Sequence, residues 1–275
     1  MPLLVTSASG ANGDGYGALL AFDDGGKPLG PFSDDNRIVD PRGLAPDPES
    51  GLLFLNSAER VLALDPAGEV ARDSGVIAGL NPGGGIFGPD GRCYVGLRGA
   101  RTVLALPPDL KRPGEHVLPP GVVPFPRGFG FGANGKLLLS SGIGPDGKGD
   151  DTIVAFSADR TRPVRLVDDP ELSPLDLAVA PNGNVVVSSE RPFGALGAVT
   201  TIREYDPESG RLVRVLSASG LAAFRRPRGL RFGADGDLYC VAQDEVVAFD
   251  FKAGRCLGPV VRLTRLHGQA LAFFP

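Results

Sequence analysis

The chain has 275 residues, a formal net charge of −4, and 42% hydrophobic against 22% charged residues, a balance that supplies a sizeable core and argues against disorder. Its pI lies near 5.3 and no Lys/Arg-rich run occurs, so neither nucleic acid nor an anionic membrane surface is an expected partner. The start, Met1-Pro2-Leu3-Leu4-Val5-Thr6, lacks the basic opening and apolar core of a signal peptide, and no later segment is apolar for long enough to span a membrane; a cytoplasmic monomer is expected.

In chain order, Leu3-Leu4-Val5-Thr6 and Ala18 to Asp23 read as strands that no first strand precedes. Pro41-Arg42-Gly43-Leu44 then opens a complete unit, which runs through the turn Asp47-Pro48-Glu49-Ser50-Gly51 to Leu52-Leu53-Phe54-Leu55 and on to Arg60 to Asp65. The unit recurs from Pro82-Gly83-Gly84, with Pro89-Asp90-Gly91 as its turn, and from Pro126-Arg127-Gly128-Phe129, with Ala133-Asn134-Gly135. Pro174-Leu175-Asp176-Leu177 and Pro227-Arg228-Gly229-Leu230 open two more, turning at Pro181-Asn182-Gly183 and Ala234-Asp235-Gly236. Asn-Gly and Asp-Gly turns between short apolar strands predict β-hairpins. Cys93 and Cys240 sit inside such strands and Cys256 follows a turn, so the three thiols read as unpaired.

The last segment, Gly268-Gln269-Ala270-Leu271-Ala272-Phe273, reads as a first strand whose partners are missing, and the missing partners are those at the start of the chain. Joining the two ends gives a sixth unit whose length falls within the range of the other spacings. The prediction is an all-β fold: one domain over residues 1–275, a six-bladed β-propeller with four-stranded antiparallel blades, closed by the C-terminal strand. The turns after strands one and three lie on one face. The other face carries the crossovers, the starts of the innermost strands and the longer loops Ser7 to Gly17, Ser141 to Asp151 and Glu190 to Gly197, and function is expected there.

The repeat, clearest from Pro227 to Val241, resembles the NHL-repeat propellers and their relatives, the gluconolactonase-like enzymes and the streptogramin lyases. The resemblance covers essentially the whole chain and implies a site at the channel mouth. In the gluconolactonase-like enzymes a Glu, amide side chains and an Asp hold a divalent cation there. Asp176 matches that Asp and Asn81 matches one amide, while His267-Gly268-Gln269 stands where a Glu-Gly-Pro segment belongs. No metal ligand set follows from this, and a divalent cation is a possible cofactor. The streptogramin lyases use a histidine and an acid near the last blade, the region of His267, and carry tryptophans that this chain lacks.

Aligned by repeat, the residue after the opening proline is Arg42, Gly83, Arg127, Leu175, Arg228 or Gln269. Three guanidiniums at one level of the channel suit bidentate capture of a carboxylate or phosphate, unless each pairs with acids such as Asp40, Asp176 or Glu171. Asp176 replaces the Gly or Ala of every other unit, a candidate general base or ligand, or else a salt-bridge partner of Arg127 or Arg228. His267 is a second acid/base candidate. Ser140, Ser188 and Asn56 end second strands as pocket lining, His116 is expected on the surface, and the acidic Gly144 to Asp151 loop lacks a full calcium-binding spacing. The expected function is an enzyme acting on a small anionic or oxygen-rich molecule by lactone or ester opening. Asp176 and His267 would do the acid/base work, with Arg42, Arg127, Arg228, Gln269, Asn81 and Ser188 around the substrate. A non-catalytic ligand-binding or protein-interaction propeller is the alternative.

Overall fold

Wherever an apolar run is bounded by turn residues, the chain forms a strand, and the strands assemble into six four-stranded antiparallel sheets. The computed structural model describes residues 2–274 except 11, 81, 120, 124, 144–148, 158, 160–162, 193–196, 217 and 219–223. Blade one runs outward from Pro41–Pro46 through Leu53–Ser57 and Arg60–Leu64 to Val70–Asp73. Its second strand is buried throughout, while its outermost strand is partly exposed. Such middle strands show no polar alternation because both faces are covered by neighbouring blades, which explains the unbroken apolar runs.

The core is distributed accordingly. Six apolar clusters of buried residues each fill one interface between adjacent blades. Edge-to-face ring pairs stitch several of these interfaces, among them Phe54 with Phe87 at 4.8 Å, Tyr94 with Phe131 at 5.0 Å and Tyr239 with Phe273 at 4.9 Å; each is worth roughly 0.5–1.5 kcal/mol beyond its buried area. The ring closes as the repeat predicts: Gly268–Phe273 pairs antiparallel with Leu3–Ser7, inside the sheet that continues to Leu19–Phe22 and Pro28–Pro31. Cys93, Cys240 and Cys256 are free thiols. No helix among the described residues is long and apolar enough to cross a membrane.

One irregularity of the innermost strands positions the site. In blades one to four the first strand bulges just after its opening proline, so that two residues face one on the second strand. The bulged pairs are Arg42-Gly43, Gly83-Gly84, Arg127-Gly128 and Leu175-Asp176, opposite Asn56, Gly96, Ser140 and Ser188. Blade six bulges at Gln269, and in blade five the N–H of Arg228 donates to Val241 O while Gly229 O accepts from Val241 N. A bulge re-aims the extra side chain out of the regular alternation. In blades three and five the second residue has to be small because the next blade passes close by: a Cβ on Gly128 would meet Leu177 N at 2.3 Å, and one on Gly229 would meet Ala270 Cα at 2.7 Å.

Candidate functional site

The bulges bring Arg42, Arg127, Leu175, Asp176, Arg228, Gln269 and Ala270 together around one cavity of about 40 Å³, joined by Gly84 and by two further guanidiniums, Arg98 and Arg231. A few waters or one compact polar group would fill that volume. Most of the predicted column is therefore assembled. Asn81 lies outside the described residues.

Asp176 is the buried acid of this lining. Its Oδ2 accepts the Leu230 N–H at 2.9 Å and lies 3.4 Å from Arg231 Nη1. The salt-bridge partner is thus Arg231, where the sequence pointed to Arg127 or Arg228. Burial pushes the Asp176 carboxyl up, against the opposing pull of the Arg231 charge and the Leu230 and Leu177 N–H groups. Arg231 spans the channel, donating to Leu230 O at 2.6 Å, Leu44 O at 3.1 Å and Gly85 O at 3.4 Å, so it ties blades one, two and five together beneath the cavity.

The other guanidiniums differ in how they are balanced. Arg42 is paired with its own blade's Asp40 at 2.8 Å, and Asp40 is itself anchored by the Ser9 N–H. Burial lowers Arg127 to about 10, helped by Arg228 and opposed by Asp151 and Glu190. Burial likewise lowers Arg228 to about 10, opposed by Glu190 and helped by Arg226 and Arg42. Arg98 is pushed down to about 9 by burial and by Arg127, Arg42 and Arg228, with Asp176 opposing. Arg98 and Arg127 share one ring: each guanidinium carbon lies 5.2 Å from the centroid of Phe125, a cation–π geometry that holds both heads in place.

The hydroxyls act on the backbone. Ser188 Oγ accepts the Asp176 N–H at 3.0 Å and donates to Arg228 O at 3.2 Å, and Ser140 Oγ accepts the Gly128 N–H at 2.8 Å. Thr6 occupies the same place in blade six, accepting from Ala270 N and donating to Arg42 O. Each hydroxyl satisfies a bulge amide that has lost its ladder partner. Ser188 thus underlies the site and is absent from the cavity lining. Gln269 is in the lining and donates from Nε2 to His267 O at 2.9 Å.

His267 is not brought to the cavity. Its backbone has φ 45°, as Asp40 and Arg226 have 46° and 51° at the equivalent position, and its Nε2 faces Asp14 Oδ1 at 3.4 Å. The left-handed residue before the bulge sends its side chain toward the outer loop. His116 is exposed. Of the acidic Gly144 to Asp151 loop, residues 144–148 lie outside the described set, and Gly149 already begins the strand Gly149–Phe156.

A divalent cation does not fit this lining. The carboxylate that would bind it is already engaged by Arg231 and Leu230 N, and five guanidiniums line the same cavity, a field that repels a dication and attracts an anion. Among the described residues no cluster of three or more His, Cys, Asp or Glu has a geometry suited to a metal ion.

Three residues outside the column after the opening proline depart from the repeat. Arg231 stands where the other blades have Ala45, Ile86, Gly130, Ala178 and Ala272. Arg98 follows the second strand where blade one has Ala58, and blade three has Gly142 at the matching register. Phe125 precedes an opening proline where other blades carry Asp40, Ser173 or His267.

No protein-family profile matches the chain, and no curated protein matches it in sequence. Solved structures do. A chain of the nidogen/laminin complex superposes with a TM-score of 0.76 at 14% identity, covering 98% of this chain and 97% of that one. A gluconolactonase from Xanthomonas campestris superposes at 0.65 with 16% identity, covering 96% and 86%. A streptogramin B lyase superposes at 0.64 with 18% identity, covering 84% and 72%. The likeness is one of fold. It places the chain beside gluconolactonase-like and streptogramin lyase propellers, as the repeat suggested, and equally beside a chain of the nidogen/laminin complex.

Proposed function

We propose that this chain binds a small, oxygen-rich anion at the channel mouth and opens an ester or lactone bond in it. The observation that supports this most is the convergence of Arg42, Arg98, Arg127, Arg228 and Arg231 with the buried Asp176 on one compact cavity. When a lactone carbonyl is attacked, negative charge grows on oxygen, and fixed guanidinium donors stabilise that charge more than they stabilise the ground state. Asp176, with its carboxyl pushed up by burial, lines the same cavity and is the group placed to exchange a proton with the reacting oxygen. Hydrolysis and elimination share these requirements. The partner is a small molecule, and the lining residues named above all come from one copy of the chain.

A non-catalytic binding propeller is the second reading, favoured by the engagement of Asp176 with Leu230 N and Arg231. Acid release from a panel of lactones and esters, followed with a pH indicator, separates the two. Turnover that falls by about 100-fold or more in Asp176→Asn supports the enzyme. Anion binding without turnover of any panel member supports the binding module.

A further inference from the structure

The charges around the mouth are not all matched in the same way. Arg42 has Asp40 at 2.8 Å, and Arg231 has Asp176 at 3.4 Å together with three carbonyl oxygens. For Arg98, among the described residues, no carboxylate lies within ion-pair distance. Its contacts are Pro126 O at 3.4 Å and the Phe125 ring. Phe125 also carries Arg127, so two guanidiniums are fixed on one ring. Burial and the fields of Arg127, Arg42 and Arg228 all disfavour the charge on Arg98. Holding a cation in that position costs folding free energy, and an anion bound there recovers it.

The cavity is too small for a whole metabolite but suits one compact anionic head. A planar carboxylate presents two oxygens and one charge, enough for one fork. A phosphate monoester presents three oxygens and nearly two charges above about pH 6, which suits several forks arriving from different blades. Resting on the reading of the mouth as an anion site, we propose that Arg98, Arg127 and Arg228 clamp a tetrahedral dianion, so that the molecule taken at this mouth is a phosphate monoester. Arg98 is then the residue that selects a dianion over a monocarboxylate.

Thermal melts and titration calorimetry at low salt test this with inorganic phosphate, sulfate, acetate, glucose and glucose 6-phosphate as probes. Phosphate, sulfate and glucose 6-phosphate are expected to raise the Tm and to bind at least about 10-fold tighter than acetate, the factor for one additional charge-assisted hydrogen bond. Lowering the pH from about 7 to about 5 should weaken phosphate and glucose 6-phosphate, whose second proton returns near pH 6, and leave sulfate unchanged. Arg98→Met should lose at least about 10-fold in phosphate affinity while raising the ligand-free Tm by about 2–4 °C, because one repelling cation is gone. Arg98→Lys should recover part of the binding, and Lys111→Met, an exposed charge, should change neither quantity. Acetate binding as tightly as phosphate overturns the dianion assignment and leaves the anion site standing. No binding of any anion removes both. Arg98→Met binding phosphate like the wild type overturns the clamp. Inorganic phosphate binding tighter than glucose 6-phosphate replaces the monoester with free phosphate, whereas tighter binding of glucose 6-phosphate, with glucose alone inert, supports the monoester.

Discussion

On the face of the short turns, between blades four and five, Glu204 is buried with a side-chain exposure of 2%. Asn182 and Asn184 donate to its Oε1 at 2.9 and 2.6 Å, Arg214 bonds Oε2, and the same Arg214 reaches Phe251 O and covers the Phe251 ring. Burial would raise the Glu204 carboxyl, but those donors outweigh it and hold it below its ordinary value. At the channel mouth on the opposite face the balance is reversed: cations are in excess, and burial and mutual repulsion lower Arg98, Arg127 and Arg228. The first region satisfies its charges internally and has no need of a ligand. In the second, Arg98 has no carboxylate within ion-pair distance among the described residues, and an anion from outside would fit beside it in the cavity. A cluster of charged side chains therefore signals function by the sign of its imbalance, not by its size.

Removing the matched acid tests the first half of that contrast. Glu204→Ala leaves Arg214 and two amides without their acceptor and should cost about 3–5 kcal/mol, toward the lower end because Arg214 can turn to water. The midpoint of urea unfolding should fall accordingly, with no effect on anion binding at the mouth. A loss under 1 kcal/mol would show that the cluster is not the stabilising element described.

Asp176→Ala should cost less, about 2–3 kcal/mol, the penalty for a buried N–H and a cation that lose their acceptor, since Arg231 keeps its three carbonyl partners. The two acids should also respond to pH with opposite sign. Glu204 is held low, so its contribution is present above the ordinary carboxylate range and is lost as pH falls through its lowered value. Asp176 is pushed up, so its contribution is present in acid and is lost as pH rises through its raised value. From about pH 6 to about pH 3, the Tm gap between wild type and Glu204→Gln should shrink, while the balance between wild type and Asp176→Asn should move toward the wild type. Parallel movement of the two gaps would mean that the regions are electrostatically alike.

Ser188→Ala probes the scaffold under the mouth. Losing the bridge between Asp176 N and Arg228 O should cost about 1–2 kcal/mol, because a buried amide loses its acceptor. Anion affinity should change only as far as Arg228 shifts. Complete loss of turnover at unchanged stability would restore Ser188 as a direct participant.

How far the site could be read in advance follows from the same geometry. The opening prolines mark the start of each innermost strand, and the bulge comes at a fixed distance after them. Arg42, Arg127, Arg228 and Gln269 could therefore be aligned as a column, and Asp176 stood out as a charge in a column of Gly and Ala. Arg231 obeys the same rule one column further on, a lone charge among Ala45, Gly130 and Ala178, and it is the true partner of Asp176. Arg98 and Phe125 lie just outside the strands, where position depends on how a crossover packs across blades and not on periodicity. The ring itself was legible because a blade split between the two ends satisfies its strand edges only when they meet.

The smallest expected effect concerns His267, a predicted acid/base residue that the left-handed backbone before the bulge turns toward Asp14. Its partner is 42% exposed and 3.4 Å away, so the pair is worth at most about 1 kcal/mol. His267→Ala should therefore shift the Tm by no more than about 4 °C, and it should leave phosphate affinity and any lactone turnover within about twofold, since the imidazole does not line the cavity. His267 O, which accepts from Gln269 Nε2 and from Ala8 N, is retained in the variant, so the backbone that places Gln269 is preserved. A loss of turnover by 100-fold or more, about the size of a general acid/base contribution, at unchanged Tm and anion affinity would mean that the histidine swings into the mouth when substrate binds. The charge deficit at the mouth would then be one half of a site completed from the loop that holds Asp14.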